Sequence, residues 1–202
     1  LYMTLASTLF GYIIGLPMGI VLTVTDKDGI RPNAAVYKVL DVISNLLRSI
    51  PFIILLIVLI PFTRFVVGRS YGSTATIVPL TIAAAPYIAR MVESSLKEVD
   101  AGVIEAARSM GASDFQIVTK VMLVEARTSL IVGATISLGT ILGYSAMAGT
   151  VGGGGLGDIA IRYGYTRWQT DIMVVTVVLL VILFQIFQTI GMKIANRLDR
   201  RK

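Results

Sequence analysis

The sequence predicts an all-α fold, a polytopic bundle of five transmembrane helices that forms a single domain over residues 1–202. Three observations point there. Only 15% of residues are charged and 55% are hydrophobic, with mean hydropathy +0.80. Soluble domains carry about a quarter charged residues. The apolar excess is gathered into long charge-free spans, the pattern a bilayer requires, and not spread as short core stripes. The basic residues behind the net charge of +6 sit at the ends of those spans instead of forming one nucleic-acid patch.

The first span is residues 1–25. It lacks the basic leader and small-residue cleavage site of a secretory signal, so it reads as a membrane helix. The sequence begins at Leu1 and not Met, and we expect a short segment to precede it. Gly11, Gly15 and Gly19 recur every four residues, which puts three glycines on one helical face for close approach by a neighbour. Glycine is also simply common in membrane helices, and that reading stands beside the first.

Residues 26–32 form a polar turn, and the amphipathic stretch 34–47 runs along or into the membrane surface. Arg48 and Arg64 bracket a short span containing Pro51 and Pro61, so the second helix is extended back to about Ser44. Pro51 is expected to kink it or mark its start. The third helix covers 74–97, with Pro79 and Pro86 inside. Arg90 and Glu93, three apart near its end, can pair on one face.

Residues 98–127 are the longest polar segment, two short amphipathic helices joined at Gly111. Ser113 and Gln116 make a capping box, and Ile117, Val121 and Val124 make the apolar stripe of the second helix. The fourth helix spans 128–147. The glycine run 149–157 follows, then a polar, tyrosine-rich loop over 158–171 with Trp168 suited to a membrane interface. The fifth helix covers 172–192 and ends in Lys193, Arg197, Arg200, Arg201 and Lys202. That basic tail predicts a cytoplasmic C-terminus, which puts the 26–41 and 98–127 segments inside as well.

The absent chemistry narrows function. With no Cys and no His, disulfides, Cys or His metal sites and nucleophile–His triads are excluded. Asp and Glu avoid the middles of all five spans, whereas ion-coupled carriers usually place an ionisable group at mid-depth. The glycine run lacks the Lys-Ser/Thr pair of a phosphate loop and falls on the predicted outer side, so it reads as a closely packed turn. We expect no catalytic residue and no metal site. The 98–127 segment can be a docking element, whose alanines let a short helix sit in a partner's groove, or an ordinary surface hairpin.

At this point the sequence resembles the permeases of ABC importers. Their signature is Glu-Ala-Ala, three residues, Gly, then nine residues to Ile-x-Leu-Pro. Here Glu105, Ala106, Ala107 and Gly111 match, while Val121, Leu123 and Val124 fall at the Ile, Leu and Pro positions. The valine at the proline position departs from the pattern and leaves the start of the next helix less sharply set. The closer resemblance is to methionine importer permeases, carried by Arg48-Ser49-Ile50-Pro51-Phe52, by Ala84 through Glu93, by Gly143-Tyr144-Ser145-Ala146-Met147 and by Gly154-Gly155-Leu156-Gly157.

The resemblance covers essentially the whole chain and implies the type I ABC importer permease fold in a bacterial inner membrane. It implies a coupling helix that docks a cytoplasmic ATPase through Glu105, Ala106, Ala107, Arg108, Gly111 and Ala112, and a pathway gate near Tyr144 and Met147. Packing is the competing role for the last two. It implies a permease homodimer, two ATP-binding subunits and an extracytoplasmic binding protein, with ATP and Mg on the ATPase and no cofactor on this chain. Competing functions are import of another amino acid or small solute, an ATP-independent secondary transporter, and a channel or structural membrane protein.

Overall fold

The computed structural model describes residues 1–198. Arg200, Arg201 and Lys202 of the basic tail lie outside the described residues. Every element is helical: α1 (Tyr2–Thr25), α2 (Ala34–Ser49), α3 (Phe52–Val58), α4 (Ile60–Val67), α5 (Ser73–Lys97), α6 (Ala101–Ser109), α7 (Asp114–Gln116), α8 (Leu123–Glu125), α9 (Arg127–Met147), α10 (Gly155–Ile159) and α11 (Thr170–Leu198). Among the described residues four helices are long and apolar enough to cross a membrane, or five if the bent pair α2–α3 counts as one span.

The bundle is organised around α5, which packs against α1, α2 and α9. The three glycines of α1 explain the closest of these contacts. A Cβ on Gly15 would lie 2.6 Å from the Ala85 carbonyl oxygen, and one on Gly19 2.5 Å from that of Ala89. The small residues face α5 and bring the two backbones together, as the spacing anticipates. Ile88, Val92 and Leu96 of α5 meet Ile117 and Ile141 in the main core, and Met3, Phe52, Leu56, Leu80 and Ala148 form a second cluster near the start of α1. By contrast only 6% of the most apolar window of α11 is buried, which leaves that helix at the periphery.

The second span is where the structure departs furthest from the sequence expectation. No single helix runs from Ser44 to Thr63. α2 starts ten residues earlier, ends at Ser49, and meets α3 at 102°. Pro51 is the cause. The residue before a proline is pushed out of the helical region, and Ile50 is extended at φ −82°, ψ 124°. Pro61 sits in the first turn of α4, where its missing N–H costs nothing.

Two smaller expectations are corrected. The Ile117–Met122 stretch is a π-helix, which shifts the register of the predicted stripe. Ile117 and Met122 are buried, while Val124 is 47% exposed. The 158–171 loop is largely helical: α10 runs into a π-helix over Ala160–Tyr165, whose Gly164 packs on Met173 of α11. Only at Trp168, with φ 58°, does the chain turn sharply into α11.

Candidate functional site

The segment between α5 and α9 is built as an anchored projection. Asp100 caps α6 by accepting from Gly102 N at 2.7 Å. The helix stops at a Schellman motif, with Gly111 N bonded to the Arg108 carbonyl at 3.0 Å and Ala112 N to that of Ala107 at 3.1 Å. Gly111 has φ +82°, which a residue with a Cβ adopts only under strain. The Ser113–Gln116 capping box then starts α7.

The two alanines of the motif face opposite ways. Ala107 is buried in the main core with Ile117 and Val99, rooting α6 to the bundle. Glu105, Ala106 and Arg108 are exposed, Gly111 is exposed and Ala112 is half-buried. Met110 at 83% and Phe115 at 77% exposure stand out from the same projection. The Arg108 guanidinium donates to the Ile30 carbonyl at 2.9 Å, tying α6 to the α1–α2 turn.

Behind the projection lies a charge cluster that sequence reasoning saw only in part. The expected Arg90–Glu93 pair forms at 2.7 Å. Arg90 also pairs with Asp41 of α2, and Glu93 accepts from Lys97 at 2.8 Å and from the Tyr37 hydroxyl at 3.3 Å. Lys97 closes the chain on Asp26 at 2.6 Å and holds its carboxyl below the usual carboxylate range by that hydrogen bond. Only the two pairs within α5, Arg90–Glu93 at i,i+3 and Glu93–Lys97 at i,i+4, have a local signature, because the α2 partners are about fifty residues distant in sequence.

At the other end of α9, Tyr144 is half-buried and stacks on Phe52, ring centroids 4.7 Å apart and planes within 5°. Met147 is 49% exposed. The two residues therefore sit differently, the tyrosine against α3 and the methionine on the surface. Ser145 between them accepts from Thr4 at 3.1 Å, pinning α9 to α1. The glycine run is close-packed: Gly149 faces the Asp158 backbone and Gly157 the Ala146 carbonyl, each too near for a side chain.

Tyr144 also borders a cleft of about 180 Å³ between α2, α3 and α5, beside Arg48, Tyr87, Phe52 and Leu55. Sequence reasoning treated Arg48 as the boundary of a span. The break at Pro51 instead places it level with Ala83 and Tyr87, which flank the midpoint of α5. Among the described residues no group of His, Cys, Asp and Glu is arranged to hold a metal.

Comparison with known proteins agrees with this architecture. Residues 11–202 match the family described as binding-protein-dependent transport system inner membrane component. A probable D-methionine transport system permease protein of Vibrio cholerae is 49% identical over 201 residues, covering 100% of this chain and 89% of that protein. The D-methionine transport system permease protein of Escherichia coli K12 is 56% identical over 149 residues, covering 74% and 69%. A structure of inward-facing conformations of a methionine ABC transporter superposes with TM-score 0.97 at 52% identity, covering 98% of this chain and 92% of that one. An amino acid ABC transporter at 22% identity and TM-score 0.74, covering 98% and 91%, shares the fold. With the family model matched from the first turns of α1 to the end of the chain, this protein belongs to the inner membrane components of binding-protein-dependent transport systems.

Proposed function

We propose that this chain is the permease subunit of an ATP-driven importer of methionine. The observation that carries it is the near-complete superposition on the inward-facing methionine transporter, TM-score 0.97. In this reading two copies enclose the pathway, and two cytoplasmic ATP-binding subunits supply ATP and Mg²⁺. An extracytoplasmic binding protein delivers substrate. The chain itself hydrolyses nothing, and its C-terminus is cytoplasmic.

The projection is the docking element. Glu105 offers a carboxylate, and Ala106, Met110 and Phe115 offer an apolar knob, all exposed. A knob of this kind fits a groove with a cationic rim on the ATPase. Ala107 and the Gly111 turn hold its angle, and Ala112 seats the turn. Arg108 passes motion to the α1–α2 turn through Ile30, and Asp26–Lys97 passes it on to α5. Closing of the ATPase pair would then tilt α1, α2 and α5 together, because packed helices move as units. Tyr144 and Met147 form the gate, with Tyr144 released from Phe52 as the pathway opens.

The test is co-purification from mild detergent followed by uptake. A two-plus-two complex that concentrates labelled methionine in proteoliposomes, given ATP and the binding protein, is the expected result. Uptake that continues without the ATPase and collapses with an ion gradient would make the chain a secondary transporter.

A further inference from the structure

Two arginines, one on α5 and one on α2, lie where these helices meet, and their surroundings differ. Arg90 of α5 meets Asp41 and Asn45 of α2 and is neutralised there. Arg48 is one turn beyond Asn45 along α2, and it is exposed at the cleft it lines. Among the described residues it takes part in no ion pair. It lines the cleft bordered by Ala83 and Tyr87, and these flank Ala85, the middle residue of the 25-residue α5. At about 1.5 Å per residue α5 is roughly 37 Å long, so Arg48 sits near the centre of the membrane span. A cation held there is costly, and such residues mark substrate or ion paths.

The rest of the cleft complements one chemistry. Ile50, Phe52, Leu55 and Ala83 line the cleft together with Arg48 and supply its apolar part. Thr140 Oγ1 donates to the Ile136 carbonyl at 3.0 Å and lies 3.4 Å from the Tyr87 hydroxyl, and Tyr87 and Tyr144 are the polar aromatic residues of the lining. The helix break at Ile50–Pro51 lies at the cleft, between Arg48 and Phe52 along the chain. Discontinuous helices at mid-depth are where transporters place their substrates. The cleft volume of about 180 Å³ suits a single small zwitterion and excludes a peptide.

We propose that Arg48 binds the carboxylate of the transported amino acid in a subsite within this permease, with the substrate's apolar side chain laid along Phe52 and Leu55. This rests on the importer reading above and adds to it a place where the pathway itself recognises its cargo. A guanidinium suits the task because it pairs with a carboxylate through two parallel hydrogen bonds. The aromatic and aliphatic wall accommodates a thioether or a branched chain equally, so charge and not side-chain identity is read here.

The test uses the complete permease–ATPase complex in detergent and a photoreactive methionine carrying a diazirine in its side chain. Labelled peptides are mapped by mass spectrometry. We expect label on the segment containing Phe52 and Leu55 or on that containing Tyr144. Arg48→Gln should reduce it roughly tenfold or more, the scale of a lost charge-assisted contact, while Arg48→Lys retains part. Arg64→Gln, at the far end of α4 and outside the cleft, should label as the parent does. Should Arg48→Gln fail to assemble, competition on the unaltered complex decides: methionine should suppress labelling and its carboxamide should not.

Label confined to other segments, equal labelling in Arg48→Gln, or equal competition by the carboxamide would each overturn the proposal. Uptake by the unaltered complex in proteoliposomes separates the two readings. If that complex imports methionine while labelling ignores Arg48, only the subsite fails. If it imports none, the importer reading falls first.

Discussion

Replacing Arg90 with methionine removes a charge from the α2–α5 interface while keeping a long apolar stem. Three carboxylates, Asp26, Asp41 and Glu93, face two cations there, Arg90 and Lys97. The Glu93 side chain is 6% exposed and Asp41 32%, so losing Arg90 strands one deeply buried carboxylate and one partly solvated. Breaking a buried ion pair costs roughly 3–5 kcal/mol. Lys97 still holds Glu93 and water still reaches Asp41, which puts Arg90→Met at about 3 kcal/mol by the same reasoning. For a chain of this size that is a fall of roughly 6–12 °C in thermal midpoint. Glu93→Gln alone leaves each cation one carboxylate and should cost about 1 kcal/mol. The double variant again has one cation fewer than carboxylates, as the parent does, and should cost no more than Arg90→Met by itself. Thermal unfolding of the purified transporter in mild detergent reads all three. Additive costs in the double variant, or an Arg90→Met midpoint unchanged, would refute the view that these charges form one interdependent cluster.

Other substitutions probe the remaining joints. Gly15→Leu forces a side chain against the Ala85 carbonyl, 2.6 Å from where its Cβ would sit. Backbone cannot yield cheaply, so the melting transition should drop by more than the ordinary 1–3 kcal/mol of overpacking, checked by the same scan. Gly111→Val meets open space but needs a β-branched residue at φ +82°. It should strain the turn by about 1–2 kcal/mol, re-aim α6 and uncouple ATP hydrolysis from uptake while the protein still inserts. Normal uptake per ATP would count against the docking geometry. Glu105→Ala, at an exposed position, should leave stability within about 0.5 kcal/mol yet lower the amount of ATPase that co-purifies. Unchanged recovery would make Glu105 dispensable.

Helices that cross the bilayer whole were readable because hydropathy and length are local properties. α1, α5, α9 and α11 agree with the expected spans to within a few residues except at the far end of α11, which runs on to Leu198. The α1 glycines and the Ser113–Gln116 box were readable for the same reason, being fixed spacings on one helix. What failed depends on partners distant in sequence. The stripe at Val121 and Val124 assumed a regular helical period, and a π-helix broke it where Ile117 and Met122 turn into the core. The 158–171 segment looked like a loop because its tyrosines and glycines carry no helical pattern, yet packing of Gly164 on Met173 holds it helical.

α2 shows why its charges escaped notice. An amphipathic stretch is ordinarily read with its polar face toward water. Here the polar face, with Tyr37, Asp41 and Asn45, turns inward onto α5, and the apolar face is outside, with Val39, Val42 and Leu46 more than half exposed. That is the inverted pattern expected where the surroundings are lipid or another membrane subunit, not water. Once the helix is turned this way, its charges must be met by protein. Asp41 finds Arg90, and the extra turn that α2 completes before Pro51 carries Arg48 past the last carboxylate into the cleft beside Tyr87. The proline that ends the helix therefore also sets the depth of the arginine: without the break the chain would continue straight and carry the arginine's neighbours Ile50 and Phe52 away from Tyr144.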